Sequence, residues 1–541
     1  MSVRDELDLI ERHRAAAEHD RLPPNLGALV EQAAARYPDN LLWVPIDDNG
    51  PALTYREFHV AVLQCAAALT RFGIQKDQHV GLMMPNIPPM AITWMALVRL
   101  GAVVVAVNTQ LTSAEVRRAL DAGDAEALIL DQSFLPIIEA IGAADRRVPD
   151  DRLIVHGGTG SPRWQDWHRL VAAAPASVAA PPVDAQDTAT ILYTSGSTGL
   201  PKGCLLPHSY WLTLGWERAR QGPPARRILI ETPLYYMGGQ WRFVMAFFLG
   251  AAVCVALRPS LTRFLDRVLA HGIDFCAASK LHAKLPPDER FSRLRLAWMT
   301  SSGLPKDLHR PLESRFRAPI REIYGSTELG ATISFPTTAT LMIGSGSCGL
   351  PNASRECRIV GADGQDVRRG ETGELLVTGR GMLKGYHKRP EANEEAFAGR
   401  WFRTGDLFVQ DSDGFYFWLG RLRDVIRRSA EIISAIEVET ALNDIPEVFE
   451  SAALPVPDEY RGEEVKAYVA LQPGLDRHDL PPEKILDHCR RSLAPYKVPR
   501  YIEYVAEFPR TASNKIAKQD LKRRRCDLRD GSFDALDGVW R

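Results

Sequence analysis

Three stretches of this chain combine small residues, hydroxyls and charge in spacings that suit phosphate chemistry. The densest is YTSGSTGLPKG, residues 193–203. Backbone N–H groups converge on a phosphate only where side chains are small, and Thr194, Ser195, Gly196, Ser197, Thr198 and Gly199 provide that run. Their hydroxyls add donors, and Lys202 adds positive charge. The GK[ST] ending of a Walker loop is missing. The second stretch, YGSTELG at 324–330, sets Thr327 beside Glu328. A hydroxyl next to a carboxylate suits a phosphate–Mg2+ complex, because magnesium takes oxygen ligands and shares them with substrate phosphates. Taken alone, the pair reads better as a helix N-cap with an acidic first turn. The third, RTGDLF at 403–408, puts Asp406 at an expected tight turn, where its carboxylate can accept from both hydroxyls of a ribose. Alone, it is more often an ordinary turn aspartate. A fourth stretch, GSGSCG at 344–349, has the bare G-x-G-x-x-G spacing. Pro351 and Asn352 follow at once, so it reads as a turn and not as a dinucleotide site, which needs strand, turn and helix.

These residues need a scaffold, and the hydrophobic pattern supplies one. The apolar run TATILY enters the first loop, and His208 with a helical run follows it. Elsewhere strands and helices alternate, as in HVGLMMP, a helical run at 88–100, then AVVVAVN, which argues for α/β architecture. AAAPASVAAPP at 172–182 reads as a linker. After the charged boundary GRLRDVIRR at 420–428 the pattern restarts: a helix from Glu437, strands SAALPV and KAYVALQP, a helix near 484–492, and a strand YIEYVA. That is the size of a compact α+β unit. Length alone, 541 residues, suggests three or four structural units. Lys and Arg total 66 against 67 Asp and Glu, which excludes a strongly basic nucleic-acid binder. The basic run KQDLKRRR at 518–525 accordingly reads as a solvated helix face. The eight cysteines contain no CxxC pair, so no zinc ribbon or redox motif is signalled. The charged first twenty residues lack a signal-peptide core. Arg99 and Gly101 interrupt the most apolar stretch, 90–107, which reads as a buried helix and strand and not as a membrane span. A cytoplasmic protein is expected, with neither nucleic acid nor membrane as partner. His208, a lone histidine, reads as structural, and Trp211, Trp216 and Trp241 as packing residues.

In order, the chain carries YTSGSTGLPKG, YGSTE, GELLVTGRGMLKGYHKRPE, WFRTGD, DGFYFWLGRLRD and PRTASNK. This series resembles the adenylate-forming family of acyl-CoA synthetases, aryl-CoA ligases, stand-alone adenylation domains and luciferases, from about Leu53 to Leu521. The resemblance implies an α/β fold. It has a large N-terminal domain (1–420) of two sheet-and-helix subdomains plus a small β-barrel, a hinge (421–424) at Arg423, and a small mobile α+β C-terminal domain (425–541). It implies a first step joining a carboxylate to the α-phosphate of ATP, and a second moving the acyl group from AMP to a thiol, usually coenzyme A. Lys515 of PRTASNK matches the family's mobile lysine. Thr194 to Gly199 and Lys202 would hold the β- and γ-phosphates, and Glu328 with Thr327 would hold Mg2+. Asp406 and Arg421 would fix ribose and orient the hinge. Tyr324, Gly325, Ser326, Ser302 and Gly303 belong to segments that flank adenine and the nucleotide. Tyr236, Met237, Gly238, Gly239 and Gly330 fall on acyl-pocket segments, and Ser429, Ala430 and Glu431 on the path of coenzyme A. Chemically this is coherent: an anion attacks an anion, so fixed positive charge must offset the repulsion as pentavalent phosphorus forms. Lys515 must then leave before the thiol enters, which accounts for a two-position domain.

Three positions depart from the family's pattern. Ala430 stands where Gly is common, Tyr236 where His is frequent, and Asn514 where Gly usually precedes the lysine. They lead to the expectation of a weak adenylation half, so that the chain works mainly on a supplied acyl-adenylate. No carrier-protein domain or LGGxDS-like arm site is visible, which favours free coenzyme A as acceptor. The alternatives are a stand-alone adenylation enzyme loading a carrier protein, and a non-catalytic nucleotide-binding relative. The many small residues on the acyl segments suggest a broad acid in preference to acetate. The sequence leaves open a homodimer and a partner adenylating enzyme.

Overall fold

Several helices start where the sequence supplies a cap or a proline. Thr54 and Glu57 form a capping box at the head of Tyr55–Phe72, and Gly73 ends that helix in the left-handed region. Thr112 and Glu115 do the same for Ser113–Ala122. Pro88–Arg99 begins with proline at its first position, where a missing N–H costs nothing. The structure, a computed structural model, describes residues 3–18, 20–47, 50–158, 163–194, 202–422, 425–429, 431–510 and 516–541. It divides into two compact units: residues 1–357 with 377–402, and residues 358–376 with 403–541.

The first unit holds two sheets. One has the order Gln165–Asp166, Leu153–His156, Ala127–Asp131, His79–Met83, Val103–Ala106, Thr188–Thr194 and Lys202–Pro207. All neighbours are parallel except the last pair, which is an antiparallel hairpin. The helical run expected straight after the phosphate loop is therefore preceded by a strand: the chain turns back as Lys202–Pro207 before His208–Arg220 begins. In the other sheet, Leu41–Pro45, Ala252–Val255, Arg227–Ile230, Phe275–Ala277, Trp298–Ser301 and Ile320–Ser326 run parallel. Gly330–Ser334 and Ser347–Pro351 extend it antiparallel. GSGSCG leads into that last strand and opens no helix.

His208–Arg220 and Met237–Leu249 are buried on nearly every face, so they belong to the core. Trp94 meets Trp211 edge-on at 5.8 Å, and Phe243 touches Trp94, Phe58 and Trp43. The indoles of Trp211, Trp216 and Trp241 are buried, as packing residues should be. His208 is also structural. Fully buried, its Nδ1 accepts from the Leu26 N–H at 3.2 Å, and burial pulls its pKa down to about 4.

In the second unit, residues 403–410 of the strand Trp401–Gln410 pair antiparallel with Tyr416–Arg421, neighboured by residues 372–376 of the strand Thr372–Gly379. The C-terminal sheet centres on Gly462–Leu471, flanked by Val448–Asp458, Val425–Arg428 and Tyr501–Tyr504. The helices Ala435–Asn443 and Pro482–Ser492 cover it through Val438, Leu442, Ile485 and Leu486. Among the described residues, no helix is long and apolar enough to cross a membrane.

Candidate active site

The two charged residues singled out for the phosphates and the metal meet through a tyrosine. Thr194 and Lys202 face each other at the connected end of their hairpin, in register, with Thr194 Oγ1 3.5 Å from the Lys202 carbonyl. The Lys202 ammonium lies 5.0 Å from the centre of the Tyr386 ring. The Tyr386 hydroxyl donates to Glu328 Oε1 at 3.0 Å. The segment carrying Tyr386 is held from three sides. Leu205 N–H donates to the Gly385 carbonyl, His387 N–H to the Gly203 carbonyl, and Leu383 N–H to the Glu328 carbonyl. His387 Nε2 and Lys388 Nζ both reach Asp124, at 2.8 and 2.7 Å. Sequence reasoning quoted this segment without giving Tyr386 a role.

Thr327 and Glu328 sit at the tip of a β-hairpin between Ile320–Ser326 and Gly330–Ser334, so the expected alternative of a helix N-cap is wrong: no helix follows. The hairpin is tight. A Cβ on Gly325 would lie 2.1 Å from the Gly330 carbonyl oxygen, and Gly330 itself has φ of +68°. Ser326 Oγ is buried without a hydrogen-bond partner among the described residues. Such an orphan hydroxyl, beside a carboxylate with one oxygen engaged by Tyr386, fits a phosphate–Mg2+ complex. No group of three or more His, Cys, Asp and Glu capable of holding a metal occurs among the described residues, so no all-protein cage competes with that reading.

The segment expected to flank adenine is organised by Glu322, which no sequence motif signals. Glu322 accepts from Ser301 Oγ at 2.5 Å, from the Gly303 N–H, and from the Leu304 N–H at 3.3 Å. Burial raises the Glu322 carboxyl, while these donors oppose that shift. Gly303 has φ of +69°, with Ser302 exposed beside it. Tyr324 lies on the strand next to that loop's base.

Tyr236 caps the helix Met237–Leu249, and its hydroxyl accepts from Asn108 Nδ2 at 2.9 Å. Burial raises its phenol pKa, keeping the side chain neutral. Met237 Sδ accepts from the Tyr210 hydroxyl at 3.0 Å. The small size of Gly239 does not report pocket room, because a Cβ there would meet the Thr232 and Pro233 carbonyl oxygens at 2.6 Å. At Gly238 an added Cβ would stand 3.2 Å from Thr232.

In the second unit, Asp406 is 2% exposed and lies inside the strand Trp401–Gln410. It was expected at a tight turn. The strand continues through it because Gly405 takes the left-handed region at +65° and a bulge follows at Leu407/Phe408. Arg421 faces it across the ladder, its Nε 2.9 Å from Asp406 Oδ1, and Trp418 Nε1 approaches the same oxygen at 3.3 Å. Behind them Glu374 receives the Gly405 N–H at 3.1 Å and pairs with Arg403. Ser429 is exposed with φ of +59°, in the turn joining Val425–Arg428 to Glu431–Ser434. Ser195, Gly196, Ser197, Thr198, Gly199, Arg423, Ala430, Asn514 and Lys515 lie outside the described residues, and Glu431 is described by its backbone alone.

Comparison with known proteins agrees with this geometry. Residues 30–387 match the AMP-binding enzyme family, and residues 437–515 match the AMP-binding enzyme C-terminal domain. The sulfoacetate–CoA ligase of Cupriavidus necator is 30% identical over 510 residues, covering 92% of this chain and 97% of that protein. The benzoate–CoA ligase of Thauera aromatica is 31% identical, covering 88% and 92%. Among solved structures, the o-succinylbenzoate CoA synthetase of Bacillus subtilis, in complex with its acyl-adenylate intermediate, is 26% identical with a TM-score of 0.79, covering 94% of this chain and 99% of that one. An anthranilate CoA ligase in complex with anthranoyl-AMP is 25% identical with a TM-score of 0.82, covering 97% and 98%. The mixed α/β fold, with its large N-terminal and small C-terminal parts, is the one these enzymes share. The chain thus belongs to the adenylate-forming acyl-CoA synthetase family, as an AMP-forming acid–thiol ligase that works through an acyl-adenylate.

Proposed function

We propose that the chain converts a carboxylic acid into its coenzyme A thioester, with free coenzyme A as acceptor, and that adenylation is the weaker of its two half-reactions. The observation that carries the first part is the Lys202–Tyr386–Glu328 assembly. It sets a cation for the β- and γ-phosphates one aromatic ring away from a carboxylate suited to Mg2+, held with Thr327. Bound there, the ion would supply charge neutralisation to the departing pyrophosphate. Asp406 and Arg421 hold ribose, Tyr324 to Ser326 and Ser302 to Gly303 flank the nucleotide, and Lys515 completes the first step by meeting the carboxylate and α-phosphate. Residues 425–541 then rotate about the hinge 421–424 at Arg423, so that a thiol enters past Ser429 to Glu431.

Support for a weak first half comes from Tyr236. In the family, histidine is frequent at this place beside the reacting carboxylate, and an imidazole can carry positive charge. Here the phenol is neutral and engaged by Asn108, so it offsets none of the repulsion between two anions. Asn514 and Ala430 act on the lysine loop and on the balance of domain positions, where about 1.4 kcal/mol shifts a ratio tenfold. A separate adenylating enzyme would then supply acyl-AMP.

Two assays test the reading: acid-dependent pyrophosphate release with ATP and Mg2+, and coenzyme A consumption with synthetic acyl-AMP. Thioester formation outpacing pyrophosphate release is expected, and Tyr236→His should raise the latter. Fast pyrophosphate release with slow thioester formation overturns the assignment of the weaker half. Preference for a phosphopantetheinylated carrier protein over coenzyme A overturns the acceptor. Failure in both assays with every acid overturns the enzyme reading as a whole.

A further inference from the structure

Two arginines lie deep between the helices His208–Arg220 and Met237–Leu249, where no role is yet assigned to them. Arg218 is 1% exposed and Arg242 8%. Arg218 donates from Nη2 to Thr300 Oγ1 at 3.1 Å, while its Nε and Nη1 have no partner among the described residues. Arg242 donates from Nη1 to the Gly238 carbonyl at 2.6 Å, and its Nε has none. On the same helix as Arg242, Gln240 is fully buried and leaves both amide atoms unpaired among the described residues. The nearest acids are engaged elsewhere: Glu217 accepts from Ser354 N and Oγ, and Glu231 pairs with Arg267.

Two indoles lie against these guanidiniums. Trp241 lies between them, its ring centre 5.3 Å from Arg218 Cζ and 4.6 Å from Arg242 Cζ, and Trp298 lies 5.2 Å from Arg218 Cζ. Stacking on indole stabilises a cation but satisfies no N–H. The N–H groups left without a partner among the described residues, Nε and Nη1 of Arg218 and Nε of Arg242, belong to a fork that binds planar anions through two parallel bonds. Burial and mutual repulsion pull Arg218 down to about 9, and burial pulls Arg242 to about 10, so both still carry charge at neutral pH. Glu217 acts on Arg218 and Glu231 on Arg242 through charge alone; they offset the burial only in part, and two like charges against one indole add to its cost.

The cluster adjoins the acyl segments. Arg242 grips the carbonyl of Gly238, and Thr300 lies on the strand that runs into Ser302 and Gly303. We propose that the acid carries a second anionic group, a carboxylate or sulfonate remote from the reacting carboxyl, and that Arg218 and Arg242 bind it. The proposal rests on the acid-activating reading above. It specifies what that reading leaves open: the acid is a dianion, and the inner end of its site is cationic.

The test uses the full chain with ATP, Mg2+ and coenzyme A, and pairs of acids of similar shape: propionate against succinate and 3-sulfopropionate, and 4-methylbenzoate against terephthalate and 4-sulfobenzoate. AMP formation is read as kcat/KM. At least one dianion should exceed its monoanionic partner about 100-fold, and the better of carboxylate and sulfonate identifies the group. Arg218→Met and Arg242→Met should each cut the dianion-to-monoanion ratio at least about 30-fold, as loss of one partner of a buried charge pair does. Arg→Lys variants keep the charge without the bidentate edge and serve where the methionine variants do not fold. Preference for the monoanion in every pair, or an unchanged ratio in the variants, overturns the proposal. If no acid and no supplied adenylate reacts, it is the enzyme reading that fails. Thermal stabilisation by succinate or 3-sulfopropionate then decides the anion site alone, and stabilisation that is absent, insensitive to the variants, or equalled by chloride overturns it.

Discussion

Replacing Tyr386 with phenylalanine removes one oxygen and separates two functions of one side chain. The hydroxyl donates to Glu328 Oε1 at 3.0 Å, a bond to a charged acceptor worth about 1.5–3 kcal/mol. If Glu328 must be oriented for the metal-bound pyrophosphate, Tyr386→Phe should lower acid-dependent pyrophosphate release about 10- to 150-fold and raise the Mg2+ concentration needed for half-maximal rate. The ring survives in this variant, so the Lys202 ammonium 5.0 Å from its centre keeps that contact. Tyr386→Leu removes the ring as well and should cost a further 0.5–2 kcal/mol, about 2- to 30-fold. Coenzyme A consumption with supplied acyl-AMP needs neither the β- nor the γ-phosphate and should fall much less in both variants. A double-mutant cycle with Glu328→Gln isolates the contact: once the carboxylate is gone, losing the hydroxyl should add little. Losses below twofold, equal losses in both half-reactions, or additivity in the cycle would each refute the argument.

Asp406→Ala should weaken AMP and acyl-AMP alike, by about 1.5–3 kcal/mol or roughly ten- to more than hundred-fold in affinity, measured by calorimetry. Glu322→Gln replaces an acceptor of three donors with one carrying a competing N–H, and should lower adenine-nucleotide affinity about tenfold while costing about 1–3 kcal/mol of stability by denaturant titration. Gly239→Ala drives a methyl to 2.6 Å from two carbonyl oxygens, so about 1–3 kcal/mol of stability should be lost with no change in the ranking of acids. His208 is neutral in the fold, with its pKa pulled to about 4 by burial, whereas the unfolded chain protonates near 6.5. Its contribution is therefore intact above about pH 6.5 and declines as pH falls toward 4, by about 3 kcal/mol in all. His208→Gln should flatten that part of the stability–pH curve, and a parallel curve for the variant would show the origin lies elsewhere.

What could be read from the sequence is what neighbouring residues decide. Lys202, Glu328 and Asp406 stand out because small or hydroxylated residues adjoin them, Arg421 comes only from the family resemblance, and the alternation of strands and helices follows from period and caps. Tyr386 and Glu322 were invisible for the opposite reason: each acts across a sheet on partners far along the chain, and neither sits in a stretch of unusual composition. The strand Lys202–Pro207 was missed because KGCLLP is too short to show a period. Asp406 was placed in a turn because the glycine before it is a turn signal, yet that glycine serves a bulge within a continuing strand. Small residues were read as pocket space, but at Gly239 the nearby backbone alone forbids a side chain.

The strip 383–387 has a consequence for how nucleotide binding is felt. Its amides are shared out between the strand that begins at Lys202 and the hairpin that bears Glu328. Opening that strip breaks the bonds to Gly203, Leu205 and Glu328 in one event, so these groups form a single cooperative unit of local unfolding. ATP held at Lys202 or Glu328 therefore has to slow deuterium uptake along the whole strip, including at Leu383, Lys384 and His387, whose amides touch no ligand. A ligand confined to the acyl segments has no such reach, which gives the two ends of the site separate signatures in one exchange experiment.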